Sequence, residues 1–287
     1  MKLNNLIIKE KDAEYLIEKG DYVIKKPIVI DNNKNLVIQA GVNLLFKNNS
    51  YIFLKNSDLI VSGNKDDEIN FYSEDKNTWN GIYVLNSKAS KIKWANFSNG
   101  KNFKSEKKFI QLTGFINFYN SKVKMRNINI SNIIAEDAIN IVKSHFELEK
   151  IKIDNVNSDA IDFDFSEGKI ADSSFSNIKG DALDTSGSII NFINVNIKNV
   201  KDKGFSIGEN SKANISNSVV KNSGYGIAAK DGSEVLLKQN EFKNNNIDIA
   251  AYTKKPYFEK GAKVYIKELE SKNLILESEK PNDIIIN

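Results

Sequence analysis

Five aspartates fall at equivalent places on two successive repeats: Asp159, Asp162 and Asp164, then Asp181 and Asp184. Asp162 and Asp184 are 22 residues apart, and so are Asp159 and Asp181. If that spacing is one structural turn, each pair lies one strand spacing apart, ~4.8 Å. Two carboxylates that close repel, so one takes a proton, a cation binds, or a lysine neutralises them. A shared proton permits acid–base work, and about 5 Å is the separation at which retaining glycosidases hold their carboxyl pair. Oxygen ligands from Asp159, Asp162, Asp164, Asp181 or Asp184 would suit Ca²⁺, which takes about six to eight. Lys203 and Lys230 follow on the same columns, and either acts as a base only if its pKa is lowered. Asp162, Asp184, Lys203 and Lys230 are therefore the candidate catalytic groups. Ser206, Glu209, Tyr225, Asp231 and Tyr252 extend the columns as candidate substrate contacts, the tyrosines offering faces on which sugar rings stack.

The elements that position these residues follow from the repeat. Asp137-Ala138-Ile139-Asn140, Asp159-Ala160-Ile161-Asp162 and Asp181-Ala182-Leu183-Asp184 recur at one step, which continues through Lys203-Gly204-Phe205-Ser206, Tyr225-Gly226-Ile227-Ala228 and Ile247-Asp248-Ile249-Ala250. Within units, apolar and polar residues alternate, as in Ile151-Lys152-Ile153, the mark of a strand with one buried face. Such a unit predicts one turn of a parallel β-helix. Ile139, Ile161, Leu183, Phe205, Ile227 and Ile249 then form an interior column. Asn155, Asn177 and Asn199 form a turn ladder with amides bonded along the stack, Asn132 and Asn222 standing one residue out of register, as a bulge produces. The Leu-x-x-Leu-x-Leu frame of leucine-rich repeats is missing.

Upstream, Leu36-Val37-Ile38, Leu44-Leu45-Phe46, Tyr51-Ile52-Phe53-Leu54 and Leu59-Ile60-Val61 predict short strands. Residues 11–20 predict a short helix closed by Gly20, within an N-terminal cap spanning 1–30. Residues 98–110 predict a lysine-rich loop leaving the stack, and 257–287 closing strands or a tail. The expectation is one domain over 1–287.

Composition narrows the function classes. Net charge is +4 with acids and bases interleaved, and Arg126 is the sole arginine, which argues against nucleic-acid recognition. No cysteine is present and His145 is the only histidine. Thiolate chemistry, zinc–cysteine sites and histidine dyads are thereby excluded. No stretch approaches the ~18 apolar residues of a membrane helix, and the first residues lack the apolar core of a signal peptide.

The repeats, with Ala40-Gly41-Val42 through Trp79-Asn80-Gly81-Ile82, resemble the pectin lyase-like superfamily of right-handed β-helices over residues 21–265. That resemblance implies an all-β solenoid, an acidic polysaccharide partner and an extracellular or cell-surface location. It includes lyases, hydrolases, epimerases and tailspikes, but also surface proteins without chemistry. Asn157-Ser158-Asp159 resembles the polygalacturonase Asn-Thr-Asp, Gly180-Asp181 its Asp-Asp, and Lys203-Gly204-Phe205-Ser206-Ile207-Gly208 its Gly-His-Gly, with Lys203 where histidine would stand. Ala228-Ala229-Lys230 keeps the lysine of Arg-Ile-Lys. A calcium-assisted lyase with a lysine base resembles another branch, and Lys203 or Lys230 would be that lysine. Two readings stay open, a polysaccharide-active protein and a non-catalytic surface, adhesion or scaffold domain whose charged columns are solvated.

Overall fold

The alternation of apolar and polar residues forces strands whose inward side chains can be buried only by stacking coil on coil. A computed structural model describes residues 4–5, 8–11, 14–74, 79–103, 112–269, 274–280 and 283–286. Within them the chain is all-β, and successive coils pair in parallel over the main stack. Among the described residues no helix is long and apolar enough to cross a membrane.

The 22-residue step is physical. Ile139 pairs with Ile161, Ile161 with Leu183, Leu183 with Phe205, Phe205 with Ile227 and Ile227 with Ile249. All six are fully buried. Further along the coils the step stays at 22 residues from Asn155 to Asn177 and on to Asn199, but is 23 on either side, where Asn132 stands level with Asn155 and Asn199 with Asn222. The pairing between Ile189–Gly208 and Val219–Lys230 takes up the odd residue between Val200 and Lys203.

Each coil bends where a residue adopts the left-handed conformation, which Asn and Asp tolerate better than most. Asn99, Asn132, Asn155, Asn177, Asn199 and Asn222 all have φ between 54° and 58°. As the spacing predicts, amides bond along this corner: Asn155 Nδ2 donates to Asn132 Oδ1 at 2.7 Å and Asn199 Nδ2 to Asn177 Oδ1 at 3.1 Å. Asn177 turns instead to Asp154 Oδ1 at 2.8 Å.

A second ladder was not read from the sequence. The backbone N–H of Ser121 donates to Ser144 Oγ at 2.9 Å, that of Ser144 to Ser166 at 3.1 Å, that of Ser166 to Ser188 at 2.9 Å, and that of Ser188 to Ser211 at 3.0 Å. These serines are buried, and each lies just past a short strand of the sheet that carries the aspartates. They satisfy polar backbone at a corner that water does not reach.

The helix expected over 11–20 does not form. Glu14–Ile17 and Gly20–Ile24 are strands, paired in parallel with Asn35–Gln39 and Val42–Phe46. Ile17 and Ile24 reach the core only as strands, and burial overrides local helix preference. Lys9–Lys11 runs antiparallel to Glu14–Ile17 and covers one exposed edge. The loop expected at 98–110 lies mostly outside the described residues. Beyond residue 257 there are strands at Lys263–Leu269, Leu276–Ser278 and Ile284–Ile286.

Leu148 is fully buried on the sheet away from the aspartates. Leu148→Ala is expected to lower unfolding stability by about 2–5 kcal/mol, measured by urea titration.

Candidate functional site

Short strands from successive coils form one sheet: Trp79–Leu85, Gly114–Tyr119, Asp137–Val142, Asp159–Asp164, Leu183–Ser186, the end of Ile189–Gly208, the end of Val219–Lys230, and Ile247–Tyr252. Side chains alternate across each strand, so Asp162 and Asp184, which follow the buried Ile161 and Leu183, face outward. The register builds one column of Asn140, Asp162, Asp184 and Ser206, and another of Val142, Asp164, Ser186 and Gly208. A third runs from Gly114 through Asp137 to Asp159, and Tyr225 follows Lys203 further along it.

Asp181 joins the third column through hydrogen bonds. Its backbone N–H donates to Asp159 Oδ1 at 2.8 Å, and its own Oδ1 accepts from the Lys203 N–H at 3.0 Å. Carboxylate oxygens of Asp159, Asp181 and Asp184 lie within 4.8 Å of one another. Asp162 and Asp164, also expected as metal ligands, stand outside that group.

Lysines and amides answer the crowded charge. Lys203 Nζ donates to Asp202 Oδ2 at 2.6 Å and lies 3.4 Å from Asp181 Oδ1. Lys230 Nζ donates to Ser206 Oγ at 2.7 Å and lies 3.9 Å from Asp184 Oδ1. Asn140 Nδ2 donates to Asp162 Oδ2 at 3.1 Å, and the Thr113 hydroxyl donates to Asp137.

Burial is the main cause of the shifted acidities. It pushes the Asp137 carboxyl up to about 8, against the Thr113 hydrogen bond. It carries Asp159 to about 7, with the Asp181 N–H opposing and the charges of Asp181 and Asp184 adding to the rise. Asp162 is raised furthest, by burial and then by Asp164, Asp137, Asp184 and Asp159. Asp164 and Asp181 are raised as well, burial first and Asp184 second. At neutral pH the cluster therefore holds protons, and Asp162 is the group that keeps one most firmly.

Several expectations change. Burial lowers the Lys203 pKa, but Asp202 and Asp181 outweigh it and the net shift is upward. Lys203 is a fixed cation, and the lowered pKa that a lysine base requires is not met there. Asp231 is only 1% exposed, and its Oδ1 accepts from the backbone N–H groups of Lys254 and Lys255 at 2.7 and 2.8 Å. It anchors the segment after Tyr252 instead of facing a substrate. Glu209 is taken by an ion pair with Lys255, which holds its carboxyl below the usual value although burial opposes this. Ser206 is fully buried under Lys230. Tyr225 and Tyr252 stay half-buried, level with Lys203 and Lys230. Burial lifts the Tyr252 hydroxyl to about 12, keeping it protonated.

His145 is exposed with Nδ1 3.9 Å from Glu167. Trp79 is fully buried and stacks on Phe46 with centroids 4.2 Å apart. The sequence reading missed Asp137, Asn140, Asp202 and Lys255. Asp137 and Asn140 carried a signal, because they open and close the first tetrapeptide of the same repeat. Lys255 carried none, since a fold of the segment after Tyr252 brings it to Glu209.

A family model described as a right handed beta helix region matches residues 182–279. Among solved structures the chain is similar to a double mutant of the periplasmic alginate epimerase AlgG, 11% identical, with 97% of this chain and 78% of that one covered and a TM-score of 0.50. It is also similar to the alginate lyase from Paenibacillus sp. str. FPU-7, at 12% identity, coverage of 84% and 85%, and a TM-score of 0.40. The Dettilon tailspike protein is 10% identical, with 93% and 62% covered and a TM-score of 0.41. No curated protein matches the sequence. The fold is a right-handed parallel β-helix.

A carboxyl whose pKa rises on folding favours the folded state below its unfolded value, and that advantage is lost as pH climbs through the folded value. Asp137 moves from 3.8 to about 8 and Asp159 from 3.8 to about 7. The melting temperature is therefore expected to fall as pH rises from about 4 to 8. Asp137→Asn should flatten that fall; thermal melts across this range check it, and an unchanged slope would contradict the assignment.

Proposed function

We propose that the chain acts on a polysaccharide lying along the aspartate sheet, with the stacked carboxyls of Asp162 and Asp184 serving as acid and nucleophile. The observation carrying this reading is their pairing in register on adjacent strands, with Asp162 pushed to keep its proton and Asp184 beside the Lys230 ammonium. Burial and its neighbours' charges fit Asp162 to be the acid of the pair, and a site does both jobs when its two carboxyls take different roles. A spacing near 5 Å suits the geometry in which the carboxylate attacks the anomeric carbon while the acid protonates the leaving oxygen. Water then releases the sugar, and Asp162 recovers its proton from it. Asn140 orients Asp162, and Lys203 stands as a fixed positive charge suited to a uronate carboxylate.

The named neighbours support the substrate class: one is an alginate epimerase and another an alginate lyase. The same carboxyl pair would serve epimerisation or elimination on an acidic sugar, and product analysis separates these outcomes. An exported location accords with such a polymer and with the periplasmic neighbour. A non-catalytic surface domain remains the competing reading.

Alginate and polygalacturonate are the first polymers to assay, reading new reducing ends, unsaturated uronides and changed uronate configuration. Asp162→Asn and Asp184→Asn are each expected to lower turnover by about 10²–10⁴-fold, with melting temperature retained. Full activity in the double variant would remove the site.

A divalent cation is the second reading, favoured by the oxygens of Asp159, Asp181 and Asp184 lying within 4.8 Å. Three carboxylates supply part of a calcium shell, leaving the remaining places to water or sugar oxygens. Bound there, the ion would neutralise the cluster and polarise a uronate carboxylate. Because the carboxyls hold protons at low pH, calcium should raise the melting temperature more at pH 8 than at pH 5. Asp181→Asn should abolish the difference, and equal shifts at both values would argue against this ion site.

A further inference from the structure

Along the same sheet, on the N-terminal side of the carboxylates, lies a cavity of about 690 Å³ lined by Asn49, Asn80, Lys101, Phe103, Ile134 and Glu136, among others. That volume falls in the range of ligand sites, about 300–1,000 Å³. Its inner end abuts the acid cluster. Glu136 precedes Asp137, and its carbonyl accepts the Asp159 N–H at 2.9 Å. Asn80 belongs to the strand whose Ile82 pairs with Ile116, and Ile116 pairs with Ile139. Cavity and carboxylates therefore lie on one line, two to four strands apart.

Three features of the lining are not needed by the fold. Asn80 is 6% exposed and donates from Nδ2 to the Asn49 carbonyl at 3.0 Å, but its Oδ1 has no partner. A buried acceptor without a donor is costly, ~1–3 kcal/mol. Phe103 is 42% exposed, yet it is held in place. Its N–H donates to the Tyr83 hydroxyl at 2.6 Å, and its ring packs on Tyr51 with centroids 5.4 Å apart. A solvent-facing ring fixed from behind is a stacking platform whose ordering cost is already met. Lys101 and Glu136 place one cation and one carboxylate across the same space, and Ile134, 38% exposed, adds apolar surface.

We infer that this cavity is a binding subsite for one acidic sugar unit of the polymer whose reacting bond lies over Asp162 and Asp184. A sugar hydroxyl would donate to Asn80 Oδ1, the apolar ring face would cover Phe103, a uronate carboxylate would meet Lys101, and a second hydroxyl would donate to Glu136. A purely apolar ligand would leave Asn80, Lys101 and Glu136 unanswered. A neutral sugar would leave Lys101 unanswered. The inference rests on the polysaccharide reading above, but it concerns binding and involves no residue assigned to proton transfer.

The test is calorimetric titration with galacturonate and mannuronate hexasaccharides, using a neutral glucose hexasaccharide as comparison. Wild-type protein is expected to bind at least one acidic hexasaccharide more tightly than the neutral one. Phe103→Ala and Lys101→Ala should each weaken it about tenfold, while Lys124→Ala, on the sheet that carries Leu148, should bind as wild type does. Phe103 is exposed, so its truncation leaves the core intact, and melting temperature verifies this. Failure of both acidic probes to bind, or equal binding by both cavity variants, overturns the subsite. If polymer is cleaved while the cavity variants bind normally, the subsite falls and the carboxyl pair stands. If binding depends on Phe103 and Lys101 but no polymer is ever altered, the subsite stands and the acid–base reading falls.

Discussion

In-register parallel stacking is the constraint on which the rest of this molecule depends. Once a coil closes after 22 residues, every side chain acquires the equivalent residue of the next coil as its neighbour at one strand spacing. For apolar residues this is favourable, and the column from Ile139 to Ile249 is fully buried. For carboxylates it is costly, because like charges are brought together where water is partly excluded. The aspartate sheet carries that cost across three consecutive coils. Thr113, Asn140, Lys203 and Lys230 offset part of it, and retained protons offset more.

Polar ladders hold the register that makes this crowding persist. The buried serines bind backbone N–H groups at the corner after each short site strand. The asparagines occupy left-handed corners and bond to each other outside. A slip of one residue would expose the interior columns and break both ladders together. Aspartates on neighbouring coils are thereby kept side by side although their mutual repulsion opposes it, which is the condition for a retained proton or a bound cation to matter chemically.

The lysines show why equal residue types on one sheet do different work. Lys203 has two carboxylates around it, so its positive charge is favoured despite burial. Lys230 reaches a hydroxyl and lies farther from its nearest carboxylate. Lys255 arrives from outside the repeat and neutralises Glu209. Under the proposed reading, balance of this kind places the acid–base burden on the carboxyls and gives the cations an orienting part. It also gives the sheet a polar middle flanked by half-buried tyrosines on one side and the Phe103 cavity on the other.

The sequence by itself determined the coil length, the interior column, the Asn corner and the stacking of Asp159, Asp162 and Asp164 against their neighbours, because a fixed period converts position in the chain directly into position in space. It carried the signal for Asp137 and Asn140 in the first tetrapeptide. Only the tertiary structure decided what depends on contacts outside the period. Residues 14–24 became strands because a stack edge was there to receive Ile17 and Ile24. Asp231 turned inward because the segment after Tyr252 supplied its donors, and Lys203 became a fixed cation because Asp202 and Asp181 converge on its ammonium. Periodicity says which residues are level with one another; burial and partners from irregular segments set their charge, and those partners obey no repeat.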